Sequence, residues 1–211
     1  SSDLEFAQQL RGKLGDKRGQ ANSLSNLATV RSIQGEFAAA EAAILQARTL
    51  IEPLGDAVTL AILINETGVL AEERGNYRDA LAAYRDALRL RQSEGDARLI
   101  GESQINVGFA YYQLGEFDNA QTYWQQATAT YGSIDDRNGI VHARESLGLA
   151  ELARGDWAQA RASLEGSLTE AESLQMAEER TISQASLAEL DRLEGQFQTA
   201  VALAGEAQAT F

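Results

Sequence analysis

The chain has 211 residues, 31 of them acidic against 18 basic for a net charge of −13, with one histidine, one proline and no cysteine. Without cysteine it has no disulfide, thiolate metal site or cysteine nucleophile, and its acid excess argues against direct nucleic-acid binding, which draws its affinity from a basic stripe. No apolar run approaches the roughly 18 residues of a membrane span and no signal-like segment opens the chain, so a cytoplasmic protein without a membrane partner is expected.

Residues 1 to about 14 carry Leu4, Ala7, Leu14, Gly15 and Asp16, which align with Ile44, Ala47, Leu54, Gly55 and Asp56 forty positions later. They therefore predict the second helix of a pair whose first helix is missing. The chain has no initiator Met and Phe211 falls near the end of another such helix, so a fragment of a longer protein is expected.

From there a 40-residue register runs through the chain. Glycine recurs at Gly35, Gly75, Gly115, Gly155 and Gly195. An aromatic follows two positions later, at Phe37, Tyr77, Phe117, Trp157 and Phe197, and an alanine five positions later, from Ala40 to Ala200. A period of this size marks stacked supersecondary units, each needing neighbours to bury its apolar stripe. We expect one solenoid domain over residues 1–211, with five repeats and no linker.

The third repeat shows the unit. Residues 100–114 read as a helix from the spacing of Ile105, Phe109 and Tyr112, Gly115 closes it in a left-handed C′ conformation, and a second helix runs from about Phe117 to Tyr131. Two helices joined by a tight turn form an αα-hairpin. Small residues recur on the first helix at Ala28, Gly68, Gly108, Gly148 and Ala188, where backbones approach closely. The bulky Ile44, Tyr84, Trp124 and Leu164 of the second helices are expected to fill the space between successive hairpins, and Trp124 and Trp157 to be core. Between repeats, Gly15-Asp16, Gly55-Asp56 and Gly95-Asp96 supply a C′ glycine and an N-cap aspartate. Asp135-Asp136 and Gln175-Met176 lack the glycine, so different turns are expected there.

The order of small residue, turn glycine, aromatic, alanine, bulky residue and alanine resembles the tetratricopeptide repeat, in five copies over essentially the whole chain. Its period of 40 exceeds the common 34 and is similar to the repeats of kinesin light chains, G-protein signalling modulators and bacterial regulators. The resemblance implies an all-α fold, a right-handed α-α superhelix of antiparallel helix pairs, with the first helices lining a concave groove.

Aligned by the glycines, the groove registers are variable in chemistry, and their centre is apolar. The candidate partner-binding residues are Ile62, Asn65, Val69, Ile105, Asn106, Phe109, Tyr112, Glu145, Leu149 and Leu152. Asn26 and Asn106 match the asparagine that the longer-repeat families use to hold a peptide backbone, whereas Glu66, Ser146 and Ser186 replace it elsewhere. The lone His142 is read as a rim residue, and the doublets Glu72-Glu73 and Glu178-Glu179 as solvated, because adjacent helical residues diverge. No phosphate loop, dinucleotide fingerprint, nucleophile elbow or zinc-helix motif occurs, so neither catalysis nor a cofactor or metal is expected.

The function expected is a protein-interaction scaffold holding a peptide or helix, basic or amphipathic, within a larger regulatory or signalling protein. The alternatives are a ligand- or peptide-sensing domain controlling an attached effector, and a self-associating structural solenoid.

Overall fold

The computed structural model describes residues 2–208, which form helices and turns without a strand. They fall into two compact units, the first running through Gly95 and the second starting at Asp96. The first contains α1 (Ser2–Lys13), α2 (Lys17–Ile33), α3 (Phe37–Ile51), a short 3-10 turn holding Pro53, α4 (Ala57–Glu73) and α5 (Tyr77–Glu94). The second contains α6 (Ala97–Gln113), α7 (Phe117–Gly132), α8 (Arg137–Arg154), α9 (Trp157–Ser173), α10 (Ala177–Leu193) and α11 (Phe197–Gln208). The expected chain end at Phe211 lies outside the described residues.

Every hairpin turn closes in the same way. Gly35, Gly75, Gly115, Gly155 and Gly195 all take positive φ, and the amide after each donates back across the last helical turn, as from Glu116 to the carbonyl of Tyr111 at 2.9 Å. This satisfies carbonyls that the helix end would otherwise leave open.

The junctions between repeats keep a residue in the left-handed region even where glycine is missing. Asp135 and Gln175 stand where Gly15, Gly55 and Gly95 stand in earlier repeats, and they too adopt positive φ, 54° and 58°. Loss of the glycine therefore does not change the sign of φ: the Asp136 and Met176 amides donate to the Tyr131 and Ala171 carbonyls as Asp16 donates to Arg11, which holds Asp135 and Gln175 in a conformation that disfavours a Cβ. Gln175→Gly should therefore raise the urea midpoint, stabilising the chain by about 0.5–1 kcal/mol. The same change at Asp135 should gain less, since aspartate tolerates this region better.

Aspartates begin the first helices. The carboxylates of Asp16, Asp56, Asp96 and Asp136 accept amide hydrogens of α2, α4, α6 and α8 at 2.9–3.2 Å. The cap at Asp96 starts α6 at Ala97, three residues before the position that apolar spacing predicts.

Tyr84, Trp124 and Leu164 of the second helices seat inside their own hairpins. Ile44 and Trp124 also share core clusters with the first helix of the next hairpin, through Leu70 and Ala150, as expected of residues that fill the space between hairpins. A Cβ built on Gly68, Gly108 or Gly148 would lie 2.4–2.6 Å from Tyr84, Trp124 or Leu164, so each glycine is the seat of a side chain from the partner helix. Trp124 is 2% exposed and donates its Nε1–H to the Ile105 carbonyl at 3.0 Å. Tyr131 makes the connection between hairpins in the second unit, its ring lying against Gly101 of α6 and Gly139 of α8. Trp157 departs from expectation: as the first residue of α9 it lies beyond the packed stripe and is 40% exposed.

Candidate functional site

First helices touch one another within each unit, α2 with α4, α6 with α8 and α8 with α10. On each of them the same registers face inward. Positions 21, 61, 101, 141 and 181 are buried in all five repeats, as are 28, 68, 108, 148 and 188, whereas 22, 62, 102, 142 and 182 are exposed in all five. The exposed register carries Asn22, Ile62, Glu102, His142 and Ile182, so its chemistry is free of the packing that fixes its neighbours.

Ten candidate residues divide between the units. In the first, α4 carries Ile62 and Val69, both exposed, with Asn65 half-buried between them. In the second, α6 carries Ile105, Asn106, Phe109 and Tyr112, and α8 carries Glu145, Leu149 and Leu152, all half-buried. The apolar face of α6 is thus only partly open. Ile105, Phe109 and Tyr112 lean on Trp124, Ala120 and Ala150, and the Tyr112 ring centre lies 5.3 Å from that of Phe117 and 5.8 Å from that of Trp124. These contacts hold the side chains in place while leaving part of each to solvent.

Polar side chains tie neighbouring first helices together. Ser25 and Ser32 of α2 donate hydrogen bonds to Glu66 and Glu73 of α4. Arg18 pairs at 2.8 Å with Asp56, the cap of α4, and Arg98 at 3.5 Å with Asp136, the cap of α8. The amide of Thr59 holds the Asp56 carboxyl below its usual range, with Arg18 adding to the effect. His142 is exposed, as its rim reading requires, with Nε2 3.6 Å from Glu179.

Two acidic side chains expected to be solvated are not. Glu72 accepts the Tyr84 hydroxyl at 2.7 Å, and Glu179 is half-buried beside His142. Each meets a side chain of another helix, a placement that divergence from its sequence neighbour does not reveal. Glu145 lies next to Glu179 and Glu178 across α8 and α10, and its Oε2 is buried without a hydrogen-bond partner. Burial, then the charges of Glu179 and Glu178, push its carboxyl up to about 7.

Sequence reasoning missed a cavity of about 190 Å³ between α2, α3 and α4, reached by Glu66 and Glu73. The only sequence signal was Glu66 itself, standing in the asparagine position. A larger apolar hollow of about 630 Å³ lies between α10 and α11 beside Phe197 and Val201. Among the described residues no cluster of acidic or histidine side chains is arranged to hold a metal, and no helix is long and apolar enough to cross a membrane.

Solved structures match this arrangement. BtubC (BKLC) from P. vanneervenii superposes with a TM-score of 0.86 at 21% identity, over 98% of this chain and 86% of that one. A signal transduction ATPase with numerous domains and a tetratricopeptide repeat sensor, from Pyrococcus horikoshii, superposes with 0.80 at 18% identity; the match covers 98% of this chain but 32% of that protein. A Rap protein complexed with competence and sporulation factor gives 0.69 at 16% identity, over 98% of this chain and 68% of that one. At these identities the likeness establishes the fold. No curated protein matches the chain by sequence. The tetratricopeptide repeat profile matches residues 4–93 and 99–173. With the glycine turns, the seated bulky residues and the paired helices in the same register, that match establishes that the chain belongs to the tetratricopeptide repeat family.

Proposed function

We propose that this chain is a protein-interaction module that holds a peptide or helix of a partner protein on its first-helix faces. The observation that carries this reading is the split between registers. Packing positions are buried in every repeat, and one register holds only alanine or glycine, while the neighbouring exposed positions change from Asn22 to Ile62, Glu102, His142 and Ile182. In the second unit α6 carries the half-open Ile105, Phe109 and Tyr112 and the neighbouring α8 the half-open Leu149 and Leu152, apolar area that comes with the polar Asn106 and Glu145 of the same two helices. Complete burial of a large apolar side chain contributes about 1.5–3 kcal/mol, so finishing the burial of these half-covered ones contributes about half as much each, before ordering costs. Support also comes from the Rap proteins of this fold, one of which is complexed with a Phr* peptide.

Selection of binders from a displayed peptide library against the whole chain tests the reading. Phe109→Glu and Tyr112→Glu should each weaken the selected peptide at least about tenfold, because a carboxylate would have to be desolvated at the contact. Helical content by circular dichroism should be unchanged. Retention of full affinity by both variants would sink the proposal.

A further inference from the structure

The cavity between α2, α3 and α4 has a composition unlike the rest of the first-helix face. Its floor is apolar, formed by Ala40 and Ile44 of α3 and Leu70 of α4. Its walls hold the hydroxyl-bearing Thr29 and Ser32 of α2, with Glu66 and Glu73 of α4, and no basic residue lines it. Val69, 38% exposed, lies between the two glutamates in sequence and borders the opening.

We propose that this cavity receives one basic side chain, lysine or arginine, of the segment held on the first-helix face. The proposal rests on the interaction reading above and gives it a chemical preference. A long basic side chain is apolar along its stem and cationic at its tip. The floor of Ala40, Ile44 and Leu70 suits the stem, and the two carboxylates suit the tip. The cavity, at about 190 Å³, has room for a single side chain of this kind.

Glu66 supplies the strongest local reason. One of its oxygens accepts from Ser25, while Oε2 is buried with no hydrogen-bond partner. A buried acceptor left unsatisfied is costly, and an incoming N–H donor that reaches it removes that cost while forming a charge-assisted bond. Burial raises the Glu66 carboxyl above its usual range, against the Ser25 bond that lowers it. A cation in the cavity favours the ionised form, so capture should tighten as pH rises. Among the lining residues Glu66 and Glu73 are the titratable groups, which confines that dependence to α4. Glutamate at position 66, where a peptide-holding asparagine would match the longer-repeat pattern, exchanges backbone recognition for recognition of charge.

The test titrates N-acetyl-argininamide and N-acetyl-lysinamide into the methyl-labelled whole chain, with N-acetyl-leucinamide as the apolar control, and follows the methyl resonances of Ile44, Val69 and Leu70. Saturable shifts from one or both basic amides are expected, with the comparison between them identifying the preferred cation. Glu66→Gln, which keeps the shape, should weaken the response at least about fivefold, and Glu73→Gln should weaken it less. High salt should weaken it too. The proposal is overturned if no basic amide gives saturable shifts, if leucinamide binds as well, or if both variants bind like the parent. This outcome is independent of the peptide selection: loss of capture in Phe109→Glu reports on the second unit, whereas these methyl groups report on the first.

Discussion

Replacing Trp124 with alanine is expected to destabilise the protein by about 3–5 kcal/mol, the range for emptying a fully buried large aromatic site. Trp124 is 2% exposed, seated over Gly108, in ring contact with Tyr112 and hydrogen-bonded to the Ile105 carbonyl. Its removal opens a void that the backbone of α6 cannot close, because Gly108 has no side chain to fill it. It also takes away the support beneath the candidate peptide-holding face, since Ile105, Phe109 and Tyr112 all belong to the same cluster. Urea unfolding followed by circular dichroism measures the loss. Trp157→Ala is the control: with 40% of its surface exposed, it should cost about 1 kcal/mol or less. Equal losses at the two tryptophans would refute this account of the hairpin core.

Glu145→Gln should make the protein more stable in mildly alkaline solution and leave it unchanged in acid. The folded carboxyl is raised to about 7 from its ordinary 4.5, by burial and then by Glu179 and Glu178. A group raised on folding contributes stability that is complete below its unfolded pKa and lost as pH rises through its folded one. The Glu145 contribution is therefore present below about pH 4.5 and fades through about pH 7. A tenfold difference in acidity between the folded and unfolded carboxyl corresponds to about 1.4 kcal/mol. Discounted for the solvent that reaches this half-buried side chain, the parent should lose about 2 kcal/mol across that window relative to the glutamine variant. Thermal unfolding of both proteins as a function of pH checks this, and parallel curves would count against it. Asp191 and Glu170, held low in the fold, lose their contributions only in more acidic solution, so they do not mimic the effect.

Much of the fold is legible in the sequence because it rests on local rules repeated five times. A glycine at each hairpin turn, aspartate caps at four of the first helices and small residues facing large ones recur at fixed spacing, and regular repetition turns weak signals into a strong one. Where single residues break the register, sequence reading errs in both directions. Asp135 and Gln175 predict a changed turn, yet the amides that follow them donate back to the preceding helices and hold both in the left-handed conformation. The register of Trp157 predicts a core residue, yet its place at the start of α9 leaves it partly in water. Glu72 and Glu179 read as solvated, but each meets a side chain of another helix, Tyr84 or His142, that no local pattern connects to it.

The sequence by itself determined the helix pairs, their turns and which faces of the first helices carry packing and which are free to vary. These follow from backbone preferences and a 40-residue period, which act over short stretches of chain. Only the tertiary structure decided how far each free side chain is covered. Ile62 and Val69 stand exposed, whereas Ile105, Phe109 and Tyr112 are half-buried against Trp124. It also decided that Glu66 and Glu73 share a cavity floored by α3 residues more than twenty positions away. Coverage and convergence depend on side-chain volumes meeting from several helices at once, and that sum is not written in any single repeat.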